Sequence, residues 1–96
     1  MNFEWDQTKN RINLRKHNFS FETAKLVFDD PHGRSVLDQV IEGEERWQTM
    51  GTIQGAIVVV AHTYRVEGEE EDIRIISARK ATPAERRAYE AHKATG

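Results

Sequence analysis

Ile73-Arg74-Ile75-Ile76-Ser77-Ala78-Arg79-Lys80-Ala81, followed without a break by Thr82-Pro83-Ala84-Glu85, is the stretch whose reading decides the fold. Apolar and β-branched side chains dominate its first part, which predicts a strand. Alternation sends Ile73 and Ile75 to one face and Ile76 and Ala78 to the other, so both faces are expected to be at least partly covered. The second part predicts a helix start. Thr82 suits the N-cap, Pro83 the first helical position, and Glu85 completes a capping box. The strand therefore delivers Arg79 and Lys80 to a strand–helix corner, with Arg74 further back. A strand that only packs has little use for cations there; a site for an anion has a good one.

Upstream, Phe3–Trp5 reads as a short strand. Asp6 is an N-cap for a helix to about Lys16, and Asn18 is a left-handed stop. That helix lacks an apolar stripe, because Ile12 and Leu14 point to different sides. Lys9, Asn13, Lys16 and His17 instead form a polar stripe at helical spacing, either a solvated face or a working one. Ser20 caps a second helix through Phe28, with Phe21, Ala24, Val27 and Phe28 on a core stripe. Asp29-Asp30-Pro31-His32-Gly33 ends it. Strands are then expected at 34–41 (an edge), 46–53 and 56–66 (the most apolar, hence central). Turns at 42–45 and Gln54-Gly55 join them, and a solvated acidic loop covers 67–72. The expected fold class is α+β: about four antiparallel strands, two N-terminal helices and one C-terminal helix, in one domain spanning 1–96.

Charge narrows the function. The net charge is −2, but it is unevenly spread. Residues 1–28 hold five cations and three acids, residues 29–72 three cations and eleven acids, and residues 73–96 six cations and two acids. Two basic ends that met in space would make one positive face. The chain has no cysteine, so neither disulfides nor thiol chemistry are available. The first residues show no signal peptide, and the longest apolar run is too short to span a membrane. A cytoplasmic location is the expectation. His17, His32, His62 and His92 stand far apart without metal-ligand spacing, and there is no Gly-rich phosphate loop or nucleophile elbow. Neither a metal nor a cofactor is expected. The remaining inventory of Arg, Lys, His and Tyr suits binding an RNA phosphate and cleaving it through the ribose 2′-OH. Arginine would stabilise the transition-state charge, and a His or carboxylate would move protons.

One further pattern runs from Phe3 to Tyr89. It comprises Trp5-Asp6, Lys9, Asn13, Lys16-His17, Phe19-Ser20-Phe21, Ala24 and Phe28-Asp29-Asp30-Pro31. It continues with Glu45-Arg46, Gly51, the Val58–Thr63 strand, Arg74 through Ala81, and Glu85-Arg86 with Tyr89. This resembles the BrnT toxin family of bacterial type II toxin–antitoxin systems. The acidic stretch at 67–72 and the short tail after Tyr89 depart from it. The resemblance implies a RelE-like fold and an endoribonuclease that halts translation by cutting RNA. It also implies a BrnA antitoxin with a ribbon–helix–helix part, and binding of the pair to its own operator DNA.

On this reading Lys9, His17, Arg46 and Arg79 are the candidate catalytic residues. Arg46 and Arg79 hold the phosphate, Lys9 helps position it, and His17 transfers protons. Asn13, Lys16, Arg74, Lys80 and Tyr89 are candidate RNA contacts. Each has a plainer alternative. His17 suits the dipole of a helix C-terminus. Tyr89 suits the core. Arg79, at a buried strand end, must pair with an acid such as Asp6 or Glu85, or stay open for a ligand. The competing function is a non-catalytic module whose basic face seats a protein or nucleic acid.

Overall fold

Two tight turns fix the register of the central strands. Glu42-Gly43 and Gln54-Gly55 both have positive φ at both positions (51° and 80°; 48° and 84°). That is the type I′ geometry that matches the twist of a two-residue hairpin. The computed structural model describes residues 1–96. Its elements are β1 (Asn2–Glu4), α1 (Gln7–His17), α2 (Phe21–Ala24), a 3₁₀ turn (Lys25–Asp29), β2 (Arg34–Ile41), β3 (Glu44–Ile53), β4 (Ala56–Thr63), β5 (Arg65–Glu67), β6 (Glu70–Lys80) and α3 (Pro83–Thr95). The fold is α+β.

The sheet is larger than expected and mixed. Six strands run in the order β1-β6-β4-β3-β2, with β5 also on β6. β1 pairs parallel with β6, Phe3 beside Ile73, and the other pairings are antiparallel. The expected single strand at 56–66 is interrupted only at Tyr64. His62↔Ile75 and Arg65↔Asp72 keep one register across the break. The expected acidic loop narrows to a turn at Gly68 (φ 62°), and β6 begins at Glu70. The second helix is α-helical only to Ala24, then tightens to 3₁₀.

A bulge in β6 corrects the reading of the opening stretch. Ala61 pairs with Ser77 but His62 with Ile75, leaving Ile76 as the extra residue. One inserted residue reverses the alternation. Ile73, Ile75 and Ala78 therefore enter the same core, rather than Ala78 pointing away from the isoleucines. They join Phe21, Ala24, Val27, Ile53, Val58 and Val60 beneath the helical layer. Gly51 lets that layer approach closely. A Cβ there would lie 2.7 Å from the Val27 carbonyl oxygen and 2.9 Å from the Val27 Cβ.

The polar first helix docks through asparagines. Asn10 and Asn13 are 7% and 6% exposed, whereas Ile12 and Leu14 are 56% and 49% exposed. Asn13 bonds to both the N–H and the C=O of Ala78 (3.0 and 2.9 Å) and donates to the Phe19 carbonyl (2.8 Å). Its amide thus mimics a neighbouring strand along β6 beyond Arg74, where β1 ends. Asn10 accepts from the Phe21 N–H and donates to Glu22. α3 carries the expected capping box of Thr82 and Glu85. It docks by one buried side chain, Tyr89, whose hydroxyl donates to Asp30 and accepts from Thr52 Oγ1.

Candidate functional site

The residues between the core-facing positions of β3, β4 and β6 point to the opposite, open face of the sheet. Register arranges them in rows. Arg34, Met50, Val59 and Arg79 form one row across four strands; Val36, Gln48, Ala61 and Ser77 form the next. Gln39, Arg46 and Thr63 form the third, and the common register sets Arg74 beside Thr63. Four arginines thus frame a mixed floor, polar at Gln48, Thr63 and Ser77 and apolar at Val36, Met50 and the buried Val59. Strand spacing puts Arg46 and Arg74 about 10 Å apart at Cα, and Arg74 and Arg79 about 16 Å apart along β6.

Arg46 alone of the four buries a polar atom without a hydrogen bond. Its Nε lies 3.2 Å from Glu44 Oε1, close enough for an ion pair but without hydrogen-bond alignment. The buried N–H is left without a partner, an arrangement that native structures avoid unless something else fills it. Beyond Arg46 and Arg74 the face opens into a groove of about 720 Å³ between the β2–β3 turn and β1, β5 and β6. Its lining carries two arginines, Arg65 and Arg74, and five carboxylates, Glu4 and Glu44 among them, so the groove itself is acidic. Glu4 sits opposite Arg74 in the β1–β6 pairing.

Arg79 is paired, not open. Its two terminal nitrogens bond to the two carboxylate oxygens of Glu85 at 2.7 and 2.9 Å, and Nη1 also reaches the Lys80 carbonyl. Glu85 in turn accepts from the Thr82 N–H. Chiefly through the bond to Arg79, its carboxyl is held down from 4.5 to about 2. The same bond raises the Arg79 pKa above its usual value. The corner therefore presents a fixed guanidinium, with Nε and one Nη2 hydrogen still free to donate.

The other expected site residues scatter. Asn13 faces inward with both amide hydrogens and its oxygen committed to backbone, so the expected polar stripe of α1 is split. Tyr89 is buried with its hydroxyl committed to Asp30 and Thr52. Both side chains are held by partners inside the fold. Lys9 and Lys16 are exposed on α1, and His17 is half-buried at its last position. Lys9 and His17 stand eight residues apart on α1, about 12 Å along its axis. Lys9 belongs with Asp6 and Arg74. The Asp6 carboxyl is lowered chiefly by the Lys9 backbone N–H, with smaller contributions from the Lys9 and Arg74 charges. Lys80 stands opposite Val58 and is exposed. The structure thus groups Arg46 and Arg74, and brings in Arg34, Gln48, Ser77, Glu4 and Glu44, which sequence reasoning passed over. The signal for Arg34 lay in its strand pairing, which appears only once the type I′ turn sets the register. No three His, Asp or Glu side chains converge in a way that could ligate a metal. No helix is long and apolar enough to cross a membrane.

Comparison with known proteins gives the frame a context. Residues 5–85 match the sequence model of the family described as "Ribonuclease toxin, BrnT, of type II toxin-antitoxin system". No curated protein matches the chain. The matched region holds all four framing arginines, the asparagine clasp and the capping box. The chain therefore belongs to the BrnT family of ribonuclease toxins, whose activity is neutralised within a type II toxin–antitoxin pair.

Proposed function

We propose that the protein is a metal-independent endoribonuclease that cleaves RNA on the open face of its sheet. A ribbon–helix–helix antitoxin of the BrnA kind masks it and carries the pair to operator DNA. The fold is then of the RelE type, and the site of action is the cytoplasm. The observation that carries this reading is the Arg46 Nε, buried and without a hydrogen bond beside Glu44, inside a frame of four arginines. A phosphate oxygen is the acceptor that such a donor lacks.

The chemistry is an in-line attack of the 2′-OH on phosphorus, which breaks the P–O5′ bond. It leaves a 2′,3′-cyclic phosphate and a free 5′-hydroxyl. Arg46 and Arg74 stabilise the charge growing on the phosphoryl oxygens, as a metal would otherwise do. One proton leaves the 2′-OH and another reaches the departing 5′ oxygen. Glu44 beside Arg46 and Glu4 beside Arg74 are the groups available at these arginines for the transfers. Arg79 and Lys9 hold flanking backbone phosphates.

Incubation of purified protein with RNA in EDTA tests the reading. Cleavage with cyclic-phosphate ends, and resistance of a DNA copy of the substrate, are expected. Activity abolished by chelator and restored by a divalent ion would overturn the metal-free mechanism.

A further inference from the structure

β2 is the longest element of the molecule with every residue exposed. It is the terminal strand of the sheet, and all eight of its residues are exposed. Four of them are large and apolar: Val36, Leu37, Val40 and Ile41, each at least 40% exposed. Edge strands are normally blunted with Lys or Pro, whereas this one has neither and relies on a single bulge at Asp38. Its apolar side chains serve both faces. Val36 and Ile41 pair with Gln48 and Glu44 on the arginine side, and Leu37 and Val40 pair with Trp47 and Glu45 on the other.

On the Leu37 side the surface continues into an apolar cavity of about 250 Å³. Met1, Phe28, Trp47, Tyr64 and Ile73 line it, and Ser35 and His62 supply its polar groups. The rim is acidic. Glu42, Glu44 and Glu45 crowd the turn that ends β2, Asp38 sits within the strand, and Arg34 is the strand's single cation.

We propose that β2 is where the antitoxin is held. An extended antitoxin segment adds to the free edge as a further strand, the mode by which exposed sheet edges recruit peptides. It places an apolar side chain in the cavity beside Trp47 and brings cations to Glu42, Glu45 and Asp38. This rests on the reading of the partner as an antitoxin and deepens it, because holding and inhibition become separable. The segment grips β2, and the rest of the antitoxin reaches the arginine frame across Val36 and Arg34. A second copy of the chain is the poorer occupant. Two-fold pairing centred on the strand sets the Asp38 carboxylate opposite the apolar Leu37 of the other copy, and it offers the acids at the turn no cation beyond Arg34.

The test uses the chain's full-length cognate antitoxin as probe. The double variant Leu37→Ser with Val40→Ser alters only exposed side chains, so folding is retained. The expected result is a Kd weakened by about tenfold or more, mainly through faster dissociation, with RNA cleavage by the free variant unchanged. Hydrogen exchange at residues 35–41 slows on complex formation. Glu42→Lys slows association several-fold at low salt. Wild-type affinity in the double variant with freely exchanging β2 amides would overturn the proposal. So would a β2-mediated dimer of the chain that persists in the complex. Binding is read without RNA, so failure of the ribonuclease reading leaves this test intact. A probe that does not bind the wild-type chain at all would overturn the antitoxin reading itself.

Discussion

The covered face of the sheet and its open face share the same strands, yet the side chains that fill them have different histories. The covered face holds Ile53, Val58, Val60, Ile73, Ile75 and Ala78, all shielded by Phe21, Ala24 and Val27. The open face holds Arg34, Arg46, Arg74 and Arg79 around Gln48, Ala61, Thr63 and Ser77, with Val36, Met50 and Val59 among them. Packing explains the first set completely. It explains little of the second, because a sheet face needs some polarity at its exposed positions but not four arginines, one with a buried N–H that makes no hydrogen bond. The contrast separates residues that make the fold from residues that use it.

The sharpest break in that division comes from the covered face. Ile75→Ala is expected to cost about 2–5 kcal/mol of stability. That lowers Tm by more than about 8 °C in a domain of this size. Thermal melts check it, and an unchanged Tm would mean that the bulge, not the packing, fixes β6.

Arg46→Ala should do the reverse. Losing one transition-state donor lowers cleavage by roughly 10²–10³, while Tm stays nearly unchanged, because the Glu44 contact is a surface pair worth about 0–1 kcal/mol. Arg46→Lys should fail to restore the rate, since an ammonium cannot replace the Nε–H direction. Single-turnover cleavage with a parallel melt measures both. Equal losses of Tm and rate would merge the two faces into one structural unit.

How far the sequence carried this division depends on what each element reports locally. The capping box at Thr82 and Glu85 and the Gln54-Gly55 turn were legible because their chemistry lies within four residues. The core stripe of Phe21, Ala24 and Val27 was legible from its period. The Ile76 bulge was not, because one extra residue leaves no trace in composition. The parallel β1 was not either, because its pairing to β6 spans some seventy residues. The arginines of β3 and β6 stood out as charges in strands. Their assembly into a frame with Arg34 needed the register. Asn13 misled most, since a polar stripe on a helix reads as solvent-facing, whereas here it docks against a strand edge.

Asn13 therefore tests the boundary between the two sets. Asn13→Ala strands the Ala78 N–H and two carbonyls, each such orphan costing about 1–3 kcal/mol. Asn13→Asp cannot donate and should lose nearly as much. Lys16→Ala, on the exposed side of the same helix, should stay within about 0.5 kcal/mol of wild type. Urea melts decide this. A fully stable Asn13→Ala that binds RNA poorly would move Asn13 to the working set.

The smallest expected effect belongs to the corner between the faces. Glu85 is held at about 2 instead of 4.5, so its carboxylate is stabilised in the folded state. The contribution is complete above the unfolded value near 4.5 and is lost as pH falls toward 2. Arg79 and Glu85 side chains are 36% and 25% exposed, so solvent screening keeps the pair within about 0–1 kcal/mol. Melts of wild type should thus show a small extra loss between these two pH values that Glu85→Gln lacks, and added salt should shrink it. The same pair separates structure from use. If Arg79 only closes the corner, Arg79→Ala and Glu85→Gln will lose the same slight stability and no activity. If its free Nε and Nη2 hydrogens meet RNA phosphate, Arg79→Ala will also lose toxicity. Glu85→Gln, which keeps the guanidinium but loosens it, will then fall between that variant and wild type.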